Sequence, residues 1–442
     1  APCPHGKCLP CPGGPDHPFR SPQSYTGEEP AALRGREHAF EPYAQVTARL
    51  AQLNALGHRV GKAELIVMGG TITARTPEYQ SWFVTRCLAA MNDFPLPPPG
   101  PAGSMEDIAR ANETSRVRCI GITFETRPDY CGTKEIDGML SLGVTKVELG
   151  VQHVNDAVLL FNRRGCTVAD TERANLQLRD AALKVGFHVM PNLPASTLAA
   201  DRAMFSTLFS DPRFCPDFLK IYPTLVTPGS PIETLWRAGA YAPYSEAELV
   251  ELIAFAKSVL PEYVRLQRVQ RDIPAKLICA GSRHSNFRQL ARQHLEEKGG
   301  SCRCIRCREA GRAAAPAHIS VGVFRYPCCR GTEHFISAGS PGTLIGFARL
   351  RYPFHPHRPE LEGAALLREL HVYGTTVPVG SRPGQQEWQH RSFGAILLSR
   401  AEELASSDGY GSIAVMSGIG VRPYYRRQGY ERAGPYMIKR IR

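Results

Sequence analysis

The sequence lacks the long apolar segments that membrane and secreted proteins carry. In 442 residues no hydrophobic run approaches the roughly 20 residues of a membrane helix, and no secretory signal peptide is visible. Acidic residues are in the minority, 41 against 53 Lys and Arg, which gives a formal net charge of +12. With 43% hydrophobic residues to build its cores, the composition is that of a soluble globular protein, and we expect it in the cytoplasm.

The positive charge is concentrated in two stretches of the chain. Residues 283–312 contain eight basic and three acidic residues, and residues 422–442 contain seven basic and one acidic residue. Basic stripes of this kind are typical of proteins that bind phosphate backbones. A solvated cationic surface has the same composition, so charge alone leaves both interpretations open.

Three of the fourteen cysteines lie close together near the start of the chain, in the run CPHGKCLPCPGG. A chain of this length does not need a disulfide framework, so clustered cysteines favour metal sites. The thiolates of Cys3, Cys8 and Cys11 can hold three irons of a 4Fe-4S cluster. The fourth iron would stay open to chelate S-adenosylmethionine (SAM) and to reduce its sulfonium bond. A zinc knuckle is the alternative, for which His5 lies awkwardly close to Cys3.

A second cysteine cluster lies in the run SCRCIRCREAGR. Cys302, Cys304 and Cys307 form a C-x-C-x2-C knot, with Cys328 and Cys329 further along. A short loop of this type can wrap a tetrahedral zinc ion, which we favour over a second iron-sulfur cluster. Cys328, Cys329 or a histidine could complete the site, and we take Cys329 as the expected fourth ligand.

Short apolar runs alternate with longer amphipathic stretches between residues 63 and 270. Six β-then-α units predict a parallel sheet that curves into a partial barrel. The strand candidates are 63–70, 118–126, 146–152, 185–191, 217–223 and 264–271. Functional side chains of such folds collect at the carboxyl ends of the strands. Those ends hold Gly69, Gly70, Glu125, Gln152, Pro191 and Tyr222.

The pattern becomes antiparallel after His318, following a basic, cysteine-rich linker at 271–317. Strands are predicted at 318–325, 333–338, 343–351 and 365–374. A helix over 392–406, a strand over 411–417 and a short helix over 422–428 follow, which together predict an α+β domain. The expected domains are therefore 1–270, 271–317 and 318–442.

A loop of small residues opens the long helix of the last domain. Unpaired N–H groups at a helix start can bind a pyrophosphate such as that of coenzyme A. The loop consists of Gln389, His390, Arg391, Ser392, Phe393, Gly394 and Ala395. Tyr424 and Tyr425 lie on the next short helix, where a phenol could meet the thioester or simply pack in the core.

These segments together resemble the catalytic subunit of the Elongator complex, a family of radical-SAM and acetyltransferase enzymes of wobble-uridine modification. The resemblance spans Cys3 to Lys439 and points to a bacterial or archaeal single-chain member. The runs that carry it are CPHGKCLPCPGGP, QSYTGEEP, MGGT, GITFETRPDYC, ELGVQ, LKIYPTLV, RVQRDIP, RELHVYG, GVRPYY and GYERAGPYM. The resemblance implies a TIM-like partial (β/α)6 radical-SAM barrel and a GNAT acetyltransferase domain, joined by a zinc linker.

The resemblance also implies roles for matching residues. Cys3, Cys8 and Cys11 would hold the 4Fe-4S cluster, while Gly69, Gly70, Glu125 and Gln152 would meet SAM. Lys220 would lie beside the radical centre as a charge or proton partner. The loop 389–395 would hold acetyl-CoA, with Tyr424 and Tyr425 at its acetyl end. Basic residues at the barrel mouth and the zinc linker would grip a tRNA anticodon stem-loop. A carboxymethyl group at C5 of the wobble uridine would be the product, with tRNA stimulating hydrolysis of acetyl-CoA.

Two features depart from the expected motifs. The first cysteines are spaced C-x4-C-x2-C, whereas most radical-SAM enzymes have C-x3-C-x2-C, although the spacing varies in the Elongator group. Ser392 stands where the acetyltransferase motif has its first glycine. The chain also begins at Ala1, directly before the cluster motif. We therefore expect a basic segment to precede it, and tRNA binding to be weaker without that segment.

Two other functions are compatible with the sequence. A protein lysine acetyltransferase would use the iron-sulfur domain as a scaffold and Glu369, on a predicted strand, as general base. A non-catalytic RNA-binding module would need both cofactor sites to be vestigial. Whether the protein forms a homodimer or has further subunits is left open.

Overall fold

The computed structural model describes residues 2–14, 21–96, 103–284, 286–310, 318–373 and 393–442. Six strands form a parallel sheet in the order β1-β2-β3-β4-β5-β6. They are β1 (Lys62–Val67), β2 (Arg118–Thr126), β3 (Lys146–Gln152), β4 (Lys184–Val189), β5 (Phe218–Ile221) and β6 (Arg265–Val269). Neighbours in sequence are neighbours in the sheet, which gives the curled half barrel that the β-then-α pattern predicted.

Two helices precede the first strand, α1 (Pro30–Glu37) and α2 (Pro42–Ala55). The helices that connect the strands are α3 (Pro77–Asp93), α4 (Met105–Asn112), α5 (Thr133–Ser141), α6 (Asp156–Phe161), α7 (Val168–Asp180), α8 (Leu198–Ser210), α9 (Pro231–Arg237) and α10 (Glu246–Val259). The local sequence specifies several starts. Ser245 and Glu248 form a reciprocal capping box at α10, as do Thr167 and Asp170 at α7.

Two helices follow the barrel in the cysteine-rich linker: α11 (Phe287–Glu297) and α12 (Ile305–Arg308). A second sheet of seven strands comes next, in the order β12-β13-β11-β10-β9-β8-β7. Its strands are β7 (Ser320–Cys328), β8 (Gly331–Ser340), β9 (Thr343–Tyr352), β10 (Ala364–Val372), β11 (Ser412–Val415), β12 (Glu431–Ala433) and β13 (Tyr436–Arg440).

All strands of this second sheet pair antiparallel except β10 and β11, which are parallel. The helix α13 (Phe393–Ser407) follows β10 in sequence, and α14 (Arg422–Arg427) follows β11. The α+β arrangement predicted for the last domain is therefore observed. The strands β12 and β13, which are three and five residues long, were not predicted from the sequence.

One hydrophobic core runs through both sheets. It contains barrel side chains such as Val185 and Leu219 together with Phe335 and Leu366 of the second sheet, and all four are at most 1% exposed. A second core, containing Leu367 and Leu397, lies between α13 and the other face of the second sheet. The two sheets are therefore packed as one body through buried apolar surface.

The second sheet covers the amino-terminal ends of the barrel strands. Arg368 Nη1 of β10 donates to the carbonyl of Leu183, just before β4, at 3.0 Å. The Tyr436 hydroxyl donates to the carbonyl of Ala181 at 3.1 Å. The carboxyl ends of the strands, where function is expected, lie at the opposite end of the barrel. In the described part of the chain, no helix combines the length and the apolarity that crossing a bilayer requires.

Candidate active site

The carboxyl ends of the barrel strands enclose a cavity of about 430 Å³. The structure brings to it most of the residues that the sequence analysis selected at this end of the barrel. The lining includes Cys3, Cys8, Cys11, Gly69, Gly70, Glu125, Gln152, Lys220 and Tyr222. Gly69 and Gly70 have φ values of +104° and +63°, a backbone conformation that favours glycine and exposes main-chain groups to the cavity.

The three amino-terminal cysteines are free thiols at one side of this cavity. Cys8 and Cys11 are buried, and Cys3 is partly exposed. The Thr71 hydroxyl donates to Cys3 Sγ at 3.3 Å, and His5 Nε2 lies 3.1 Å from Cys8 Sγ. Burial raises the pKa of Cys3, and burial together with the nearby arginines lowers the pKa of His5 to about 4. A neutral His5 ring can accept or donate a hydrogen bond beside the cysteines.

The two cysteine clusters differ in how closely their sulfurs lie. The thiolates of a tetrahedral zinc ion, with Zn–S bonds of about 2.3 Å, lie about 3.8 Å apart. Among the described residues, the only all-cysteine group with its sulfurs within 4.8 Å of one another is Cys302, Cys304 and Cys307. Cys3, Cys8 and Cys11 do not form a group this compact.

Lys220 lies at the centre of a charged group on the cavity wall. Its Nζ is 3.1 Å from Glu125 Oε1 and donates a short hydrogen bond to Glu148 Oε2. His188 Nε2 lies 2.9 Å from the same Glu148 oxygen. Register explains the grouping, since Glu125 pairs with Glu148 across β2 and β3, and His188 pairs with Lys220 across β4 and β5.

The charged forms of Lys220 and Glu148 stabilise each other. Burial disfavours the charged form of Lys220, but Glu125 and Glu148 outweigh it and raise the pKa of Lys220. Burial likewise opposes ionisation of Glu148, yet His188 and Lys220 hold the pKa of Glu148 well below its ordinary value. The ligand atoms of Glu125, Glu148 and His188 lie within 4.8 Å of one another. The lysine ammonium contacts both carboxylates, so this group already holds a cation and is not a convincing metal site.

Glu148 and His188 were not selected by the sequence analysis. Each lies inside a largely apolar strand rather than at its end, which is why a search of strand ends missed them. A charged residue in a buried strand, at an alternating position that faces the barrel interior, is the signal that could have found them.

The second cysteine cluster lies in the linker, beside α10 and α11. The three thiols are close enough for a single metal ion, and Lys257 Nζ lies 3.6 Å from Cys307 Sγ. Hydrogen bonds from Cys302 and Cys304 lower the pKa of Cys307, as expected for sulfurs that are crowded together. These residues fit three of the four ligands of a zinc ion.

Cys329 does not join this cluster, which corrects the expectation that it is the fourth zinc ligand. Its Sγ lies 3.8 Å from Cys328 Sγ and 3.4 Å from the carbonyl oxygen of Arg213. The β7–β8 hairpin carries both Cys328 and Cys329 to the barrel, where the Cys329 N–H donates to the carbonyl of Pro212 at 2.7 Å. Cys329 follows the linker cysteines closely in the sequence but lies outside their cluster in the structure.

The expected coenzyme A loop is only partly within the described residues. Gln389, His390, Arg391 and Ser392 lie outside them. Phe393, Gly394 and Ala395 form the described start of α13. A side chain at Gly394 would meet the Tyr424 hydroxyl at 3.2 Å, so this phenol lies against the start of the helix. The Tyr424 hydroxyl is buried and has no hydrogen-bond partner among the described residues.

Tyr425 and Glu369 take different positions from those expected. Tyr425 is 5% exposed and packs in the domain core, with its ring 5.6 Å from that of Tyr430. A β-bulge in β10 between Leu367 and Glu369 turns Glu369 toward the barrel, where it accepts a hydrogen bond from Arg349 Nε at 2.8 Å. Burial would raise the pKa of Glu369, but Arg349 lowers it, which makes the carboxylate a weak general base.

Much of the carboxyl-terminal basic stretch is neutralised inside the molecule. Arg426 forms a bidentate ion pair with Glu113, and Arg422 lies 3.5 Å from the same carboxylate. Arg432 pairs with Glu106 on α4. The arginines of this stretch thus attach the last domain to the barrel, and fewer remain available to a nucleic acid than the sequence suggested.

A different basic surface lies beside the linker cysteines. Arg292, Arg303 and Arg308 line a cavity of about 550 Å³, which also borders Cys302 and Cys307. Glu262 and Glu296 line it as well, and Glu296 pairs with Arg292 at 2.7 Å. Guanidinium groups at a concave surface suit phosphate oxygens.

Two family models match the barrel region of the chain. Residues 3–204 match the Radical SAM superfamily, and residues 216–297 match the Radical_SAM C-terminal domain. With the three-cysteine cavity, these matches define a radical-SAM protein, whose chain continues into a second, α+β sheet.

Named relatives align with nearly the whole chain. The tRNA uridine(34) acetyltransferase of Methanocaldococcus jannaschii is 46% identical over 99% of this chain and 82% of that protein. Elongator complex protein 3 of Homo sapiens is 40% identical over 100% of this chain and 82% of that protein. The solved structure of archaeal Methanocaldococcus infernus Elp3 with an N-terminal deletion (1–46) matches with a TM-score of 0.87 at 44% identity, covering 92% of this chain and 96% of that one. The chain belongs to the Elp3 family.

Proposed function

We propose that this protein modifies the wobble uridine of tRNA, using SAM and acetyl-CoA to place a carboxymethyl group on C5. One observation carries the proposal: a single cavity gathers three free cysteines, two glycines with positive φ and the ion pair of Lys220 with Glu125. The relative named tRNA uridine(34) acetyltransferase supplies the substrate and the nucleotide position.

The cavity supplies the ligands for the first cofactor. Cys3, Cys8 and Cys11 would bind a 4Fe-4S cluster, and Gly69 and Gly70 would give SAM access to main-chain groups. When bound, the cluster and SAM supply a 5′-deoxyadenosyl radical able to remove a hydrogen atom from the acetyl methyl group, which side chains alone cannot do. The residues of the chain position the reactants and exclude water around this chemistry.

Glu125 and Lys220 act on the ligands in the cavity. Glu125 would accept hydrogen bonds from ribose hydroxyls, as would the side chain of Gln152, which lines the same cavity. Glu125 and Glu148 keep Lys220 protonated, so it presents a fixed positive charge and a proton at its Nζ. An ammonium fixed in advance can stabilise developing negative charge without reorganisation.

The last domain would hold the acetyl donor. The start of α13, at Phe393–Ala395, faces the phenol of Tyr424, which has a free donor and acceptor in the described structure. We propose that this phenol lines the acetyl end of the coenzyme A site. The overall reaction would replace the hydrogen on C5 of uridine by the acetyl methyl carbon. One methyl hydrogen would leave to 5′-deoxyadenosine, the C5 hydrogen would leave as a proton, and the electron used to cleave SAM would be returned to the cluster. Hydrolysis of the thioester by water would then release coenzyme A and leave a carboxymethyl group.

We propose a division of labour along the chain. Residues 1–270 bind SAM and the cluster, residues 271–317 hold a zinc ion with Cys302, Cys304 and Cys307, and residues 318–442 bind acetyl-CoA. Arg292, Arg303 and Arg308 would contact the phosphates of the anticodon stem-loop. A base in that loop is already single-stranded, so presenting it costs little compared with flipping it from a duplex.

Protein lysine acetyl transfer is less well supported. It requires a general base near the acetyl group, and Glu369, the strand carboxylate nominated for that role, faces the barrel and pairs with Arg349. We therefore propose a single function.

Mass analysis of tRNA tests this function. The protein is incubated anaerobically with tRNA, SAM, acetyl-CoA and a reductant, and the modified nucleoside is then identified. The expected result is a carboxymethyl group on the wobble uridine that disappears when SAM or acetyl-CoA is omitted, or in Cys8→Ser. Unmodified tRNA from iron-loaded protein would refute the proposal.

A further inference from the structure

Arg164 is a buried cation that lacks a carboxylate partner among the described residues. Its side chain lies 8% exposed at the cavity, immediately after the exposed Arg163. Its Nη1 donates to Cys8 Sγ at 3.3 Å, and its Nη2 donates to the carbonyl of Gly150. Its Nε is buried with no partner in the described structure. A buried charge is costly unless an opposite charge compensates it.

The other buried arginines in the described ranges are compensated. Arg127, which lies on the other side of His5, forms a two-point ion pair with Asp129 at 2.9 and 2.8 Å. The remaining buried arginines, each within 3.5 Å of a carboxylate oxygen, are Arg179, Arg349, Arg351, Arg368 and Arg422. Arg164 differs because, within the described ranges, the one group able to carry a negative charge to which it donates a hydrogen bond is the sulfur of Cys8.

We infer that Arg164 is the resident counter-ion of the iron-sulfur cluster, which it holds through Cys8 and makes easier to reduce. The inference rests on the proposed function, because it takes Cys3, Cys8 and Cys11 as cluster ligands. Three thiolates give the cluster site a net negative charge, and this charge supplies the partner that the guanidinium lacks. Arg164 is thus a positioning residue, acting on the cluster through the sulfur of a ligand.

The physical effect on the cluster has a defined direction. Reduction adds one electron and therefore one negative charge at the cluster. A fixed cation within hydrogen-bond distance of a ligand sulfur, in a buried site of low dielectric constant, stabilises the reduced form more than the oxidised form. Hydrogen bonds from such outer groups also orient the ligand and help to retain the metal. Arg164 is therefore expected to raise the reduction potential.

Three variants of the full chain test this role. Arg164→Gln removes the charge and keeps a planar donor, while Arg164→Lys keeps the charge. Arg163→Gln is the matched control, because it removes the same charge from the adjacent, exposed side chain. After anaerobic iron loading without SAM, iron content and the midpoint potential from a titration followed by electron paramagnetic resonance are measured.

The inference expects a more negative potential and a loss of bound iron in Arg164→Gln, near-normal values in Arg164→Lys and no change in Arg163→Gln. An unchanged potential in Arg164→Gln would overturn it. Weaker SAM binding at that unchanged potential would instead assign Arg164 to the SAM carboxylate. Absence of a cluster from the unaltered protein would refute the proposed function itself.

Thermal unfolding of metal-free protein covers the case in which Arg164→Gln does not load iron. Without the cluster the buried cation has little compensation, so metal-free Arg164→Gln should melt no lower than metal-free unaltered protein. A fall in melting temperature of metal-free Arg164→Gln below that of Arg163→Gln would show a purely structural role and overturn the inference.

Discussion

Arg368 binds Asp217 through two hydrogen bonds, from Nη1 to Oδ2 at 2.7 Å and from Nη2 to Oδ1 at 2.8 Å. Both side chains are 0% exposed. Arg368 belongs to β10 of the acetyltransferase sheet, and Asp217 directly precedes β5 of the barrel. Since β5 also carries Lys220, only three residues, or about 10 Å of extended strand, separate the domain interface from the cavity at the strand ends.

Replacing Asp217 with Asn should destabilise the protein strongly. The substitution leaves Arg179 and Arg368 buried with less negative charge to compensate them, and breaking a buried pair in this way costs about 3–5 kcal/mol. Denaturant unfolding measures the loss. Glu403→Gln is the control, because its carboxylate pairs with Arg400 on an exposed helix face and should contribute less than about 1 kcal/mol. Equal stability of the two variants would contradict the prediction.

The same interface should make the protein sensitive to acid. Burial would raise the pKa of Asp217, but the charges of Arg179 and Arg368 lower it well below its ordinary value. Because the pKa in the folded state is below that of the unfolded state, about 4, this stabilisation is present at neutral pH and is lost as the pH falls below about 4. Unfolding free energies measured against pH should therefore drop more steeply for the unaltered protein than for Asp217→Asn. Parallel curves would argue against a role for Asp217.

Lys220→Met should abolish most of the radical chemistry. The variant removes the ammonium that Glu125 and Glu148 share, and leaves both carboxylates close together in the cavity. Formation of 5′-deoxyadenosine should fall by about 100-fold or more, the usual size of a proton or charge contribution. Lys134→Met, at an exposed site on α5, is the control and should keep normal activity. Activity of Lys220→Met equal to that control would remove Lys220 from the mechanism.

Cys307→Ser should release a zinc ion and lower the melting temperature. The three linker thiols lie within 4.8 Å of one another, and metal binding to them contributes directly to folding stability. Metal analysis should find one zinc per chain in the unaltered protein and in Cys329→Ser, because Cys329 lies with Cys328 at the barrel. Loss of zinc from Cys329→Ser would show that the hairpin reaches the linker cluster after all.

Tyr424→Phe should lower tRNA-stimulated hydrolysis of acetyl-CoA by at least about 10-fold while leaving stability almost unchanged. Its hydroxyl has no partner among the described residues, so removing it breaks no hydrogen bond there. Tyr425→Phe is the natural comparison, since that ring is in the core and is expected to leave hydrolysis unaffected. Hydrolysis by Tyr424→Phe at the rate of the unaltered protein would show that this phenol does not meet the thioester.

Strand order and the position of the cavity could be predicted because they depend on local pattern. Each barrel strand reads as a short β-rich run before a helix, and the sheet order then follows the chain order. The same rule predicts that side chains at strand ends, such as Glu125, line the cavity. The grouping of the three amino-terminal cysteines could be predicted for a similar reason, since Cys3 and Cys11 are only eight positions apart in the sequence.

Features that depend on distant partners could not be predicted. Arg422 contacts Glu113, which lies 309 positions away in the sequence. A residue of the basic stretch that was expected to bind nucleic acid therefore forms a contact between domains. The β-bulge that turns Glu369 toward the barrel is equally invisible in the sequence. Glu148 becomes part of the charged group in the cavity only because β3 lies between β2 and β4 in the sheet.

The continuous apolar core beneath both sheets has a consequence for the ancestry and engineering of the protein. A barrel cut away from its partner would expose Leu219 and the rest of that buried layer to water, and the isolated acetyltransferase sheet would expose Phe335 and Leu366. Neither half is therefore expected to stay soluble by itself. An exchange of one domain between relatives would have to carry the matching face of the other domain with it.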